Sequence, residues 1–152
     1  MGVLVSAPVR IDISAGWPDS DPYRKTYGGI VLNGAINHRV LAIFTKDLSI
    51  SLGEVPSQSG LGTSGALRAV ELVASNSDLI KDKHDLIKRV HAFENQIIGY
   101  RAGFQDEAAA VYGEVNLWFF YKNGSIDCKK VPIEQAEPVS YTHLTLPTKR
   151  IV

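Results

Sequence analysis

The sequence predicts an α+β domain, and three observations along its 152 residues point to that class. Residues 9–13 alternate between apolar and charged side chains, which is typical of a half-buried strand. A run of good helix formers, 66–74, follows directly on a glycine-rich segment. Further along, Asn123-Gly124 separates two apolar segments and favours a tight hairpin. Strand and helix signals thus fall in separate stretches of a chain of single-domain length.

The first third of the chain is predicted to be mainly β-structure. In its first strand, Val9, Ile11 and Ile13 are expected on one face, with Arg10 and Asp12 on the other. Since the two opposite charges share a face, a simple ion pair between them is one interpretation of this pattern.

A loop and three further strands are predicted next. The loop covers 14–27, is rich in Gly, Pro, Asp and Ser, and carries aromatic and acidic side chains. Loops of this composition often carry functional groups. The predicted strands cover 29–36, 40–45 and 48–52.

Helical patterns dominate the middle of the chain. After the helix at 66–74, Ser77 or Asp78 is expected to cap a second helical stretch, formed by one helix or by two in succession. This stretch extends to about Ile98 and is expected to end at Gly99.

The last predicted elements are a short helix and a hairpin. The alanine-rich segment 106–112 predicts the helix, and Gly113 is expected to end it. Two strands, 115–121 and 125–131, are expected to pair around the Asn-Gly turn.

The composition excludes several classes of partner. There are 16 basic and 16 acidic residues, so the net charge is zero, which argues against nucleic acid or an anionic membrane surface as a partner. The sequence has no apolar run of the roughly 18 residues that a membrane span needs. A single cysteine, Cys128, is typical of a reducing compartment, so we expect a cytoplasmic protein.

The glycine-rich segment 60–65 fits two kinds of nucleotide site. It matches the dinucleotide fingerprint, and Asp82 and Asp85 lie near the expected distance beyond it, so a nicotinamide-binding Rossmann domain is one alternative. No buried strand leads into the segment, however, because 54–59 is mostly polar. The more general interpretation is a phosphate-binding loop, whose backbone N–H groups and following helix hold an anion without many basic side chains.

Two acidic residues downstream have the chemistry that phosphoryl transfer requires. Glu94 falls in the predicted long helix, and Asp106 opens the next helix. A hard cation prefers oxygen ligands, and a hydroxyl nucleophile needs an acceptor for its proton. The alternatives are a solvated helical glutamate and an aspartate that caps its own helix.

Three motifs in this order resemble those of the GHMP kinases, the family that includes galactokinase, homoserine kinase and mevalonate kinase. The first is residues 7–12 with 16–23, which is most similar to fucokinases, and the second is 56–65. The third is Glu94 followed by 103–107. The heptose-phosphate kinases are the other members that the sequence resembles most.

The resemblance implies a GHMP kinase N-terminal, ATP-binding domain over residues 1–137, with an antiparallel-rich sheet backed by helices. The implied reaction transfers the γ-phosphoryl group of ATP, with Mg²⁺, to a hydroxyl of a sugar or sugar phosphate. The family's C-terminal domain is expected to be missing, and 138–152 is expected to be a non-native tail. We therefore expect an inactive fragment; a catalytically idle binding module of the same fold is a further alternative.

The resemblance also implies roles for individual residues. Asp106 would orient or deprotonate the sugar hydroxyl, Arg10 would keep that aspartate ionised, and Ser64 and Glu94 would hold the metal. The implied ATP-binding residues are Ser59, Gly60, Leu61, Gly62, Thr63, Ser64 and Gly65. The implied substrate-binding residues are Asp19, Trp17, Gly103 and Gln105.

Some of these residues have simpler interpretations. The sequence also departs from the family's pattern at three positions, one of which is Ala15, where many sugar kinases have glycine. Asp19 could stabilise its own turn, and Trp17 could pack beneath its loop. Gly65 stands where the family usually has alanine, and Glu107 stands where related kinases commonly have glutamine. Glu107 therefore places an additional acidic group beside Asp106.

Overall fold

A computed structural model describes residues 2–14, 16–44, 46–56, 59–99 and 102–132. It confirms the predicted fold class, because a five-stranded antiparallel sheet packs against a layer of helices. In this part of the chain, no helix is long and apolar enough to cross a membrane. The predicted tail, 138–152, lies outside the described residues.

The strand order places the longest strand in the centre of the sheet. The strands are β1 (Val3–Asp12), β2 (Gly29–Phe44), β3 (Leu48–Ser51), β4 (Val115–Phe120) and β5 (Ile126–Lys130). Their order in the sheet is β1-β2-β4-β5, and β3 pairs with the C-terminal end of β2.

The prediction of two strands over 29–36 and 40–45 was wrong, because β2 is continuous. Its pairing with β1 shifts register between Pro8 and Arg10, opposite the stretch where the sequence pattern indicates a break. The same irregularity changes the facing of β1. Val9 is buried in the core, but Ile11 is 43% exposed on the sheet face away from the helices, so these residues do not form one buried stripe.

The described residues also form four α-helices, one 3₁₀ segment and one π-helical segment. The α-helices are α1 (Tyr23–Tyr27), α2 (Thr63–Ser75), α3 (Lys83–Ala92) and α4 (Gln105–Tyr112). A 3₁₀ segment, Ser77–Lys81, precedes α3, and a π-helical segment, Phe93–Ile98, continues it to Gly99 as predicted. The sequence analysis missed α1, since five residues are too few to show helical periodicity.

The predicted cap residues of the second helical stretch were wrong. The side chain of Asn76 accepts a hydrogen bond from the Asp78 amide at the start of the 3₁₀ segment, and Asp82 caps α3 through the Asp85 amide. A break between two helical segments requires two caps, and each cap lies just before its segment. Asp82 is therefore a capping residue, not the acidic residue of a dinucleotide site.

A buried chain of hydrogen bonds fixes the start of α4 to the sheet. The indole Nε1 of Trp118 donates to Asn33 Oδ1 at 2.9 Å, and Asn33 Nδ2 donates to the carbonyl of Gln105 at 3.1 Å. Asn33 has no exposed surface. Because buried polar groups must be paired, Asn33 links two core strands to the first residue of α4.

Replacement of Asn33 by alanine is expected to lower the free energy of unfolding by about 2–4 kcal/mol, because it leaves the Trp118 N–H and the Gln105 carbonyl unpaired. Urea denaturation measures this loss. The matched control is Asn116→Ala. Asn116 lies opposite Asn33 in the sheet, but in the described chain its side chain donates only to the Gly113 carbonyl. Equal losses for the two variants would contradict the proposed link.

Candidate functional site

An ion pair between Arg10 and Asp106 joins the first strand to the fourth helix. Arg10 Nε and Nη2 both contact Asp106 Oδ1, at 2.8 and 2.5 Å. Arg10 Nη1 also donates to the Gly60 carbonyl at 3.1 Å, and its backbone amide donates to the Leu61 carbonyl at 2.8 Å. One residue of β1 thus holds both the glycine-rich loop and the carboxylate of α4.

The glycine-rich loop ends at the N-terminus of α2. Gly62 adopts a left-handed conformation, with φ at 69°, and no described side chain caps the helix. The first backbone N–H groups of a helix have no internal partner, so this end can bind an anion. Of the two loop hydroxyls, that of Thr63 is buried without a partner in the described chain, whereas Ser64 is exposed.

Two glycines let this loop approach α4. A Cβ atom on Gly62 would lie 3.1 Å from Cγ of both Arg10 and Asp106. A Cβ atom on Gly65 would lie 2.9 Å from the Glu107 amide nitrogen and 3.0 Å from the Asp106 carbonyl carbon. The small residues therefore bring the N-terminus of α2 directly against Asp106.

Ser64 and Glu94 form the second polar pair of the site. The Ser64 hydroxyl donates to Oε1 of Glu94, which is only 2% exposed in the π-helical segment. The solvated interpretation of Glu94 was therefore wrong. A buried carboxylate beside a hydroxyl supplies hard oxygen donors at the end of α2.

Asp19 reaches across the molecule to the segment before α4. Its Oδ2 accepts hydrogen bonds from the amides of Phe104 and Gln105, at 2.7 and 2.9 Å. Gly103 lies against the same carboxylate, since a Cβ there would be 2.0 Å from Oδ2. Asp19 is fully buried, and burial raises its pKa although the two amide hydrogen bonds oppose the shift. The carboxylate holds this distant loop, so the prediction that it stabilises its own turn was incomplete.

Glu107 lies fully buried behind Asp106, and neither carboxylate oxygen has a hydrogen-bond partner in the described chain. Burial raises its pKa well above the ordinary value, and the nearby carboxylates of Glu94, Asp106 and Asp19 act in the same direction. His91 Nδ1 lies 3.6 Å from Glu107 Oε1, but burial lowers the histidine pKa. Both shifts favour the uncharged forms, so Glu107 is chemically closer to the glutamine that related kinases commonly carry there than an exposed glutamate would be.

A cavity of about 450 Å³ lies at the candidate site. It is large enough for a small-molecule ligand. Its lining comprises Arg10, Trp17, Asp19, Ser64, Arg68, Glu94, Ala102, Gly103, Gln105 and Asp106. Trp17 is 74% exposed, so the interpretation that it packs beneath its loop was wrong.

The same geometry excludes three simpler interpretations of the site residues. Arg10 is hydrogen-bonded to Asp106, whereas the simple interpretation paired it with Asp12. Asp106 does not cap its own helix, because α4 begins at Gln105 and its N-cap residue is Phe104. All strand pairings of the described residues are antiparallel, so the parallel sheet of a Rossmann nicotinamide domain is excluded for this part of the chain.

Sequence reasoning missed three residues that support or line the site. Asn33 gave no signal, because its partner Trp118 is 85 positions away in the sequence. His91 stacks on Phe104, with ring centroids 3.7 Å apart, and its nitrogen contacts the Gly103 carbonyl. Arg68 resembled a solvated helix residue; its spacing of four from Ser64 was the only available sign.

The comparison with protein families identifies the chain. The sequence profile described as "GHMP kinases N terminal domain" matches residues 32–114, which is more than half of the chain. The chain therefore belongs to the GHMP kinase family, as the three sequence motifs predicted.

Two curated relatives are a heptose 7-phosphate kinase and a galactokinase. The chain is 35% identical over 95 residues to a D-glycero-alpha-D-manno-heptose 7-phosphate kinase of Campylobacter jejuni, covering 59% of this chain and 28% of that protein. It is 26% identical over 138 residues to a galactokinase of Clostridium tetani, covering 86% of this chain and 35% of that protein. The chain thus spans roughly a third of the length of the curated relatives it matches.

A solved structure supports the fold. A D-glycero-D-manno-heptose 1-phosphate kinase from Bacteriodes thetaiotaomicron superposes with a TM-score of 0.75 at 18% identity. The match covers 88% of this chain and 61% of that chain. At this low identity, the similarity concerns the fold alone.

Replacement of Gly65 by alanine is expected to destabilise the domain by about 1–3 kcal/mol, because the new methyl group would overlap the backbone of α4. Helix propensity alone would give the opposite sign, since alanine is favoured over glycine in a helix by about 1 kcal/mol. Thermal unfolding of the variant distinguishes the two effects. A higher melting temperature would show that the loop and α4 are not in close contact.

Replacement of Glu107 by glutamine is expected to stabilise the domain increasingly as the pH rises. The folded state retains a proton that the unfolded state releases above the ordinary glutamate pKa of 4.5. Stability from this group is therefore complete below that pH and is lost as the pH rises through the folded-state pKa. Urea denaturation of both proteins at pH values of about 5, 6.5 and 8 measures the difference, with exposed Glu114→Gln as control. A stability difference between the two proteins that does not change with pH would contradict the raised pKa of Glu107.

Proposed function

We propose that this chain is the nucleotide-binding part of an ATP-dependent sugar kinase, which transfers the γ-phosphoryl group to a hydroxyl of a sugar or sugar phosphate. One observation carries the proposal: Arg10 holds the carboxylate of Asp106 against Gly62, at the anion-binding end of α2. An acceptor for a hydroxyl proton and a site for a polyphosphate are therefore adjacent. Phosphoryl transfer needs chiefly this positioning, together with charge neutralisation.

The ATP phosphates would lie in the loop 59–65 and on the first N–H groups of α2. This loop needs few basic side chains, because its amides and the helix N-terminus favour negative charge. Its proximity to Asp106 follows from Gly62 and Gly65, so the terminal phosphate would face the carboxylate.

The residues present fit a magnesium ion that is shared with the nucleotide. The described residues contain no group of three or more His, Cys, Asp or Glu that could hold a metal, so they do not by themselves build a full coordination shell. Ser64 and Glu94 supply two adjacent oxygen donors, and Mg²⁺ typically takes one or two protein ligands plus phosphate oxygens. The ion would neutralise charge on the phosphates.

Asp106 would orient or deprotonate the acceptor hydroxyl. Its other oxygen, Oδ2, is free of the Arg10 contacts, both of which go to Oδ1. The guanidinium would offset charge on the transferring phosphoryl group.

The acceptor sugar would occupy the cavity between Trp17 and α4. The exposed indole offers an apolar face for the C–H groups of a sugar, and Gly103 and Gln105 also line the cavity. Asp19 would shape this wall and could meet the sugar only at the cavity surface, since amides already occupy its Oδ2. Fucose and a mannoheptose phosphate are the acceptors to test first.

We further propose that residues 1–137 act together with a second, C-terminal domain, and that the protein works in the cytoplasm. The named relatives support this division, because the chain covers 28% and 35% of their lengths. Turnover by the 152-residue chain alone is accordingly expected to be low.

Replacement of Asp106 by asparagine is expected to lower phosphoryl transfer by roughly two to four orders of magnitude, because the variant cannot accept the hydroxyl proton. Single-turnover ADP release, with the protein in excess over Mg·ATP and each sugar added in turn, measures this loss. Binding of Mg·ATP should remain within a few-fold of the original. Exposed Asp127→Asn is the matched control.

Two outcomes would overturn the proposed function. Measurable transfer at equal rates by the original chain and by Asp106→Asn would remove the proposed role of the carboxylate. A chain that binds NADH but not Mg·ATP would not be a kinase domain at all.

A further inference from the structure

Arg68 lines the same cavity as Ser64 and Asp106, yet the proposed reaction gives it no role. It lies four residues after Ser64 on α2, so both side chains leave the same face of that helix. Among the described residues, Arg10 and Arg68 are the two cations in the cavity lining. All three donor nitrogens of Arg10 already donate to Asp106 or the Gly60 carbonyl, whereas only Nη1 of Arg68 makes a hydrogen bond in the described chain, so Arg68 has donors left for a ligand.

The hydrogen-bonding capacity of Arg68 is only partly used. Its Nη1 donates to Glu71 Oε2 at 2.6 Å, but its buried Nε has no partner in the described chain. The guanidinium carbon lies 5.6 Å from the ring centroid of Phe93, which helps to hold the planar group in place. The side chain is 24% exposed, so it is accessible from the cavity without being fully solvated.

We propose that Arg68 is a phosphate-binding residue of this site, an inference that rests on the proposed function. Its planar guanidinium presents paired N–H groups that match the oxygens of a phosphate. The phosphate can come from ATP or from a phosphorylated sugar acceptor. Glu71 pairs with Arg68 before the ligand binds and then shares it with the phosphate.

A purely structural role for Arg68 predicts a different behaviour. A helical ion pair at this spacing stabilises a helix by only about 0.2–0.5 kcal/mol, and removal of either partner loses the same contact. If Arg68 binds a phosphate, in contrast, loss of Arg68 and loss of the Glu71 charge should have different effects on ligand binding. Loss of Arg68 removes the binding group, whereas loss of the Glu71 charge removes a competitor for it.

The experiment compares Arg68→Ala and Glu71→Gln with the original 152-residue chain by calorimetry. The probes are Mg·ATP and mannose 6-phosphate, with mannose as the phosphate-free reference. Arg68→Ala should weaken binding of at least one phosphate probe by roughly 10- to 100-fold. Glu71→Gln should bind that probe at least as tightly as the original. A loss confined to Mg·ATP assigns Arg68 to the nucleotide, and a loss confined to the sugar phosphate assigns it to the acceptor.

Arg89→Ala is the matched control, because it removes an exposed helical ion pair with Asp85 on α3, outside the cavity lining. Melting temperatures of all variants separate folding defects from binding defects. Unchanged binding by Arg68→Ala, or equal weakening by Glu71→Gln, would overturn the inference but leave the proposed function intact. A wild-type chain that binds neither probe would overturn both.

Discussion

The arrangement of the site depends on the guanidinium of Arg10, which lies between the glycine-rich loop and α4. Its three donor nitrogens contact one carboxylate oxygen and one carbonyl, and these belong to segments far apart in the sequence. An ion pair of this kind contributes little net stability, since desolvation opposes the attraction. Its main effect is geometric: it fixes where Asp106 lies relative to the end of α2. The irregular pairing of β1 with β2 allows Arg10 to face the helix layer directly after Val9.

The close approach of α2 and α4 imposes a second constraint on the same site. The close approach at Gly62 and Gly65 leaves no space for side chains between the glycine-rich loop and the first turn of α4. The alanine that the family usually has at position 65 would not fit here without a shift of that turn. The chain thus combines a close contact at Gly65 with a fully buried Glu107 at the same point, so these two departures from the family pattern meet in space.

The fold class and the main site residues were predictable from the sequence, because their signals are local or come from ordered motifs. Arg10, Ser64, Glu94 and Asp106 do meet around one cavity. The support behind them was not predictable. Asn33 carries no chemical signature in a strand, and its two partners become neighbours only when the sheet and α4 assemble. The role of Asp19 was obscured in the same way, since its partner amides lie 85 and 86 residues away.

Glu94 is the second residue of the π-helical segment 93–98, which continues α3. A π-helical turn contains one more residue than an α-helical turn, so it behaves like a single-residue insertion into α3. Deletion of Phe93, the residue before Glu94, would favour regular winding and rotate Glu94 by about 100° about the helix axis of α3. The contact between Glu94 and Ser64 would then have to re-form from a different register. We therefore expect insertions and deletions in this segment to be tolerated less well than substitutions.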